Sequence, residues 1–198
     1  MTWSLLVSVA VFSFVTSVTP GPNNTFLLSS GANFGLRKSL PYLNGIMAGL
    51  TGMMIALGAG LGVIFTTLPL VYQVLKWVGF GYIVWLAFQI IKSTSKSETA
   101  EPKYIGFAKA TTFQFVNPKA WVVVASFMAT SVPVGSGLGA TAFICFVFLV
   151  FTYPGALLWA VAGQVLKTWL SDPIRRRIFN IVASILLVLS MVPVLFLH

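Results

Sequence analysis

Acidic residues are nearly absent from this sequence. Its 198 residues include three carboxylates, Glu98, Glu101 and Asp172, against twelve lysines and arginines. Charged residues make up 8% of the chain and hydrophobic residues 58%, whereas soluble domains carry about 25% charged residues. A soluble chain of this length cannot bury so much apolar surface. The composition therefore predicts an integral membrane protein, with the lipid bilayer as its first partner.

The groups that support most catalytic chemistry are also scarce. Cys145 is the only cysteine, and the only histidine is the last residue, His198. A disulfide within the chain and a CxxC redox or metal site are therefore excluded, and the sequence contains no Walker motif. We predict a protein that is not an enzyme and that uses no metal and no cofactor. We attribute the net charge of +9 to orientation in the membrane and not to nucleic-acid binding.

Long apolar runs fill most of the chain. A helix needs about 20 mainly apolar residues to cross a bilayer, and polar clusters divide the sequence into six such segments. We therefore predict an all-α membrane protein with six transmembrane helices. Their predicted ranges are residues 4–30, 41–66, 71–91, 111–132, 139–165 and 178–197.

Basic residues predict the orientation of these helices. Ten of the twelve lysines and arginines fall after helices one, three and five, in connections predicted at residues 31–40, 92–110 and 166–177. Lysine and arginine concentrate in cytoplasmic loops. We therefore expect these three loops in the cytoplasm and both termini on the opposite side of the membrane.

The two halves of the chain share the position of a proline. Pro20 and Pro118 are 98 residues apart, close to half the chain length, and the same offset carries helix two onto helix five. Because each half has an odd number of helices, the halves would cross the membrane in opposite directions. We predict two inverted three-helix repeats with helices one and four broken by proline. The repeats span residues 1–92 and 111–198, and a polar cytoplasmic linker at residues 93–110 joins them.

Both breaks are predicted near the bilayer midplane. Irregular backbone survives there only beside protein or a water-filled cavity, and paired proline-interrupted helices are the best sequence indication of a transporter binding site. Free amides and carbonyls at such breaks can hold the charged ends of a small substrate. The predicted substrate site consists of the residues at the two breaks, Pro20, Gly21, Pro22, Asn23, Asn24, Asn117, Pro118 and Lys119.

The polar side chains among these residues have expected roles. The substrate ammonium would meet backbone carbonyls and side-chain oxygens near Asn23 and Asn24. Its carboxylate would meet Lys119, a charged residue well inside a predicted helix that must face the interior or a cavity. The alternatives are that Lys119 only hydrogen-bonds the broken backbone or snorkels, and that the first break is a simple kink.

Helix two is rich in glycine. Gly45 and Gly49, and again Gly58 and Gly62, have the GxxxG spacing at which membrane helices approach closely. We predict tight packing of this helix against a neighbour, and we expect that it serves as the interface of a homo-oligomer.

Four segments resemble the LysE/RhtB family of bacterial amino-acid exporters. They are TPGPNN at residues 19–24, LKWVGFGYIVWLAFQIIK at 75–92, VNPK at 116–119 and LLWAVAG at 157–163. The resemblance covers most of the chain and is strongest to the cysteine/O-acetylserine exporter branch. It implies a six-helix protein of the bacterial inner membrane, with periplasmic termini, that expels amino acids or their derivatives by the proton motive force. It also implies that the two proline motifs flank the transport pathway.

We therefore predict a secondary transporter that exports small zwitterionic amino acids by alternating access. All three carboxylates lie in predicted loops, so proton coupling would use Lys119 or the substrate's own groups, and facilitated efflux is an alternative. Two other classes compete with this prediction. One is a non-transporting membrane subunit or receptor, and the other is a membrane thiol-redox enzyme, which the lone Cys145 disfavours.

Overall fold

A computed structural model describes residues 2–61, 104–133, 136–169 and 172–189, together with isolated positions between 70 and 88. The described residues contain helices and no strand, which confirms the all-α class for this part of the chain. The helices are α1 (Trp3–Val18), α2 (Pro22–Phe34), α3 (Leu36–Ala56), α4 (Phe107–Val116), α5 (Pro118–Ser131), α6 (Leu138–Leu166) and α7 (Pro173–Leu189), and a π-helical turn at Leu57–Leu61 continues α3.

Two of the described helices are long and apolar enough to cross a membrane. They are Leu36–Ala59, which is α3 with part of its extension, and α6, and the bent pair of α1 and α2 adds a third span if it is counted as one. Predicted helix three, most of the linker and the end of helix six lie outside the described residues. The count of six spans and the inverted repeat therefore stay predictions.

Both predicted helix breaks are confirmed. α1 and α2 meet at an angle of 62°, and the residues between them include Pro20 and Gly21. α4 ends at Val116 and α5 begins at Pro118, with Asn117 in an extended conformation between them. Pro22 and Pro118 each occupy the first position of a helix, where the missing N–H of proline costs no helical hydrogen bond.

The prediction of a loop at residues 31–40 is wrong. α2 continues to Phe34 and α3 begins at Leu36, so only Gly35 lies outside a helix. Gly35 has a φ of +81°, a conformation that glycine adopts without steric cost. The polar residues that suggested a loop are used inside the helical structure. Ser39 donates to the hydroxyl of Ser30 at 2.8 Å, and Gln164 Oε1 accepts from the amide of Leu36 at 2.6 Å.

The connection predicted at residues 166–177 is shorter than expected. α6 ends at Leu166 and α7 begins at Pro173, because Asp172 caps α7. Its Oδ1 accepts from the amides of Ile174 at 2.8 Å and Arg175 at 3.1 Å. The bond from the Arg175 amide is the main cause that lowers the pKa of Asp172. The cap therefore stabilises α7 above the ordinary pKa of an aspartate, and its contribution is lost as the pH falls through the lowered value.

The two halves of the chain pack in a reciprocal way. α1 and α2 pack along α6, and α3 packs along α4. The first helix of each predicted half therefore contacts the second helix of the other half. Glycines allow this approach between α2 and α6. A Cβ atom at Gly31 would overlap the carbonyl of Ala160, and one at Gly163 would overlap the carbonyl of Leu28.

The close packing predicted for Gly45 and Gly49 is confirmed, and it is internal to the chain. A Cβ atom at Gly45 would overlap the backbone of Phe107, and one at Gly49 would overlap the side chain of Gln114. α4 therefore covers this glycine surface, which is not free for a second copy. A Cβ atom at Gly58 would meet nothing within 4 Å, and Gly62 lies outside the described residues.

The hydrophobic core lies beside the two breaks. Tyr42, Phe127 and Phe148 are among its largest fully buried side chains. Phe127 of α5 and Phe148 of α6 stack with ring centroids 4.3 Å apart. This aromatic pair joins the second half of α5 to the middle of α6.

Candidate functional site

Lys119 connects the two breaks. Its ammonium nitrogen donates to the carbonyl oxygens of Thr19 at 3.0 Å and Pro20 at 2.5 Å. Carbonyls at the end of a helix have no partner within the helix, and the C-terminal end of a helix favours a positive charge. The ammonium of Lys119 therefore satisfies both the hydrogen-bonding capacity and the electrostatic preference of the backbone that follows α1.

Gly21 makes room for this ammonium. A Cβ atom at position 21 would lie 2.7 Å from the ammonium nitrogen of Lys119. The φ of Gly21 is −179°, an extended conformation open to any residue. The position that Lys119 occupies, and not the backbone conformation, therefore favours glycine here, because a larger residue would make the lysine side chain shift.

Asn24 and Asn117 hold the shapes of the breaks. The amide nitrogen of Asn24 donates to the carbonyls of Ser17 at 2.8 Å and Thr19 at 2.7 Å, which ties α2 to the end of α1. The side-chain oxygen of Asn117 accepts from the backbone amide of Lys119 at 3.1 Å and caps α5. Both asparagines are buried. They lie at the predicted site, and their hydrogen bonds also give them a structural role.

Asn23 is paired with Gln114 across the two halves. Asn23 Nδ2 donates to Gln114 Oε1 at 2.8 Å, and Gln114 Nε2 donates back to Asn23 Oδ1 at 3.0 Å. Gln114 is fully buried and also donates to the carbonyl of Ala110 at 2.9 Å. The sequence analysis missed Gln114. The sequence feature that could have indicated Gln114 was its amide side chain inside a predicted membrane helix, where a polar group requires a hydrogen-bond partner.

A cavity of about 70 Å³ lies between the breaks. Such a volume holds a few water molecules and is smaller than the roughly 300 Å³ at which pockets for small ligands begin. An amino acid therefore enters only if the walls move apart. The side chains that line the cavity come from α1, α2, α3, α5 and α6 and the residue between α4 and α5: Thr16, Ser17, Pro22, Asn23, Asn24, Ile46, Leu50, Asn117, Lys119, Ala120, Val123, Phe148, Thr152 and Ala156.

The structure divides the eight predicted site residues into two groups. Five of them line the cavity, namely Pro22, Asn23, Asn24, Asn117 and Lys119. The other three are not cavity-lining residues: Pro20 supplies a carbonyl to Lys119, and Gly21 and Pro118 shape the breaks. The sequence analysis also missed the hydroxyl residues at the cavity. Thr152 is one of these, and its position two residues before Pro154 in an apolar run was the only signal.

The family model described as "LysE type translocator" matches residues 14–197. This chain belongs to the LysE type translocator family. Proteins named "Cysteine/O-acetylserine efflux protein" from Salmonella typhimurium LT2 and Escherichia coli K12 are each 32% identical to it over 190 residues, which cover 95% of this chain and 96% of the relative. No solved structure matches the chain.

Membership of the LysE family confirms several predictions. The chain is a multi-pass protein of the inner membrane, an exporter, and not an enzyme. The resemblance identified from the TPGPNN and VNPK segments is therefore correct. Neither the non-transporting subunit nor the thiol-redox enzyme describes a member of this family.

Proposed function

We propose that this LysE family exporter carries small zwitterionic amino acids of the cysteine and O-acetylserine class through the cavity between the two breaks. The names of the relatives support the substrate class. The observation that carries the proposal is the contact of the Lys119 ammonium with the carbonyls of Thr19 and Pro20, beside that cavity. One primary ammonium already occupies carbonyl oxygens that suit the ammonium of an amino acid.

Lys119 is a substitute for the substrate ammonium in this proposal. When an amino acid enters, its ammonium takes the carbonyls of Thr19 and Pro20, and Lys119 turns to the substrate carboxylate. The substrate carboxylate is then paired with the charge of Lys119, and the substrate ammonium is hydrogen-bonded to two carbonyls, as a site removed from water requires. The carbonyls of Thr19 and Pro20 are better candidates than the side chains of Asn23 and Asn24. The amide groups of those two asparagines are engaged with Gln114 and with the end of α1.

Alternating access follows from the arrangement of the two halves. Gly21 and Lys119 are related by the same offset of 98 residues as Pro20 and Pro118, and they are in contact. Equivalent residues of two repeats touch only near the axis that relates them. This contact and the reciprocal packing of the helices support two inverted repeats, residues 1–92 and 111–198, that rock about the cavity. The linker at residues 93–110 then ends in a helix, since α4 begins at Phe107.

We infer that both termini face the periplasm and that the connections after helices three and five face the cytoplasm. The distribution of basic residues supports this orientation. We further infer that the proton motive force drives export. The proton-carrying group is then Lys119 or the substrate amine, because the three carboxylates fall in predicted loops. Facilitated efflux is the competing mechanism.

The homo-oligomer stays a prediction, and it would use a surface other than the one around Gly45 and Gly49.

Efflux from proteoliposomes tests the proposal. Vesicles are loaded with labelled cysteine, O-acetylserine, leucine or lysine, and release is measured with and without an imposed proton gradient. We expect faster release of cysteine and O-acetylserine, strengthened by the gradient. A release rate that does not change with the gradient would favour facilitated efflux. Equal release of all four amino acids would contradict the proposed preference for cysteine and O-acetylserine.

Variants of Lys119 test its role in the same vesicles. Lys119→Glu should abolish export, because a carboxylate would face the carbonyls of Thr19 and Pro20, whereas the protein should remain in the membrane. Lys119→Arg retains the charge and should retain part of the activity. Normal export by Lys119→Glu would remove the proposed role of this residue.

A further inference from the structure

Thr152 carries a buried hydroxyl without a partner. The residue lies on α6 and is 6% exposed, and its Oγ1 makes no hydrogen bond to the described part of the chain. It also lines the cavity between the breaks. An unpaired buried hydroxyl is costly, and each such group in a folded protein calls for an explanation. A ligand in the cavity that supplies the missing bond is such an explanation.

Other helical threonines in the described residues behave differently. The hydroxyls of Thr16, Thr51, Thr111 and Thr130 each donate to the carbonyl four residues earlier, at distances from 2.7 to 3.0 Å. Threonine commonly makes this bond inside a helix. Thr152 does not make it, so its hydroxyl is available to a molecule in the cavity.

The other residues that α3 and α6 contribute to the cavity wall are apolar. α3 and α6 otherwise contribute Ile46, Leu50, Phe148 and Ala156. An amino-acid side chain that reaches this part of the wall meets a hydrophobic surface with one hydroxyl in it. Such a surface suits a short side chain that is mostly apolar and carries one polar atom.

The other hydroxyls that line the cavity are already engaged. Thr16 donates to the carbonyl of Phe12 at 2.8 Å, and Ser17 donates to the carbonyl of Phe14 at 2.7 Å. Both bonds lie within α1, close to the break that holds the charged end of the substrate. Among the described lining residues, Thr152 is therefore the hydroxyl left to contact a substrate side chain.

We propose that the hydroxyl of Thr152 selects the side chain of the exported amino acid. It hydrogen-bonds a thiol, hydroxyl or ester oxygen, so that short polar side chains are exported in preference to apolar ones of equal size. The inference rests on the proposed function, because it assumes that the charged ends of the substrate are held at the breaks. It adds a residue that determines which zwitterion is carried.

Paired substrates that differ in one polar group provide the test. Cysteine is compared with 2-aminobutyrate, in which a methyl group replaces the thiol, in efflux from proteoliposomes. The wild type should export cysteine faster. Thr152→Val should lower the cysteine to 2-aminobutyrate ratio by about 2- to 3-fold, the low end of the range for a neutral hydrogen bond, because a thiol is a weak partner. Thr152→Ser retains a hydroxyl and should retain most of the ratio.

A matched control and a stability measurement separate selection from folding. Thr51→Val removes a helical hydroxyl that bonds to the carbonyl of Met47 and does not line the cavity, so the ratio should not change. Thr152→Val should melt at the wild-type temperature or above, because it removes an unpaired hydroxyl. A variant that melts lower, with efflux of both substrates reduced equally, would show a structural role and overturn the inference.

The remaining outcomes are also decisive. An unchanged ratio in Thr152→Val overturns this inference and leaves the proposed function intact. Failure of the folded wild type to export cysteine, O-acetylserine and 2-aminobutyrate overturns the proposed function, and the inference falls with it.

Discussion

Gly21 and Lys119 are 98 residues apart in the sequence and lie next to each other where the two helix breaks meet. A Cβ atom at Gly21 would come within 2.7 Å of the lysine nitrogen, which instead reaches the carbonyls of Thr19 and Pro20. Because Gly21 has no side chain, the ammonium of Lys119 at the second break can reach the backbone carbonyls of the first break.

Gly21→Ala should fold and should export poorly. The extended backbone at this position accepts alanine, but the new methyl group would displace the ammonium of Lys119. Because the overlapping atoms belong to a flexible side chain that can shift, the weakened hydrogen bonds should lower the free energy of unfolding by about 1 kcal/mol or less. Efflux and thermal unfolding in detergent measure the two effects. Gly58→Ala is the control, since its Cβ would meet nothing within 4 Å; equal effects of both substitutions would contradict the displacement.

Asn23 and Gln114 should be energetically coupled. Asn23→Ala or Gln114→Ala alone leaves one amide of the pair without its partner, which should cost about 1–3 kcal/mol. The double variant should cost less than the sum of the two, as a double-mutant cycle of thermal unfolding would report. Asn33→Ala serves as the control because Asn33 is exposed and bonds to Ser29 within its own helix. Strict additivity would count against a direct interaction between the two amides.

Gly31→Ala should separate α2 from α6. The added methyl group would overlap the backbone carbonyl of Ala160, which cannot move as a flexible side chain can. Overpacking of this kind costs about 1–3 kcal/mol, and we expect a lower melting temperature and less protein in the membrane. Gly139→Ala is a suitable control on α6, because its Cβ would have no neighbour within 4 Å. Wild-type stability of Gly31→Ala would mean that the helices are further apart than described.

Cysteine labelling should establish the orientation. Cys145→Ser removes the only cysteine, and Thr2→Cys or Lys167→Cys then adds a single one. A membrane-impermeant maleimide should label Thr2→Cys in intact cells and Lys167→Cys only after permeabilisation, because basic connections stay in the cytoplasm. Labelling in the opposite order would reverse the proposed topology.

The loop at residues 31–40 and the site at the breaks illustrate how far sequence reasoning extends. Proline changes the backbone next to it, so the motifs around Pro20 and Pro118 predicted both breaks correctly. The polar residues around Gly35 were assigned to a loop, because their hydrogen-bond partners, such as Gln164 for the Leu36 amide, are distant in the chain. Gln114 and Thr152 were missed for the same reason, since no local pattern states whether a polar side chain has a partner.

Composition and local backbone chemistry by themselves determined the class of this protein. A chain with so few charges requires a membrane. The prolines at positions 20 and 118, with glycine or asparagine beside them, predicted two interrupted helices, whereas Pro154 lies inside the continuous helix α6. Only the tertiary structure decided what the interruptions do. It brought Lys119 to the carbonyls of Thr19 and Pro20 and left Thr152 unpaired at the cavity. Hydrogen bonds between residues about a hundred positions apart depend on how helices pack, and packing is a property of the whole chain.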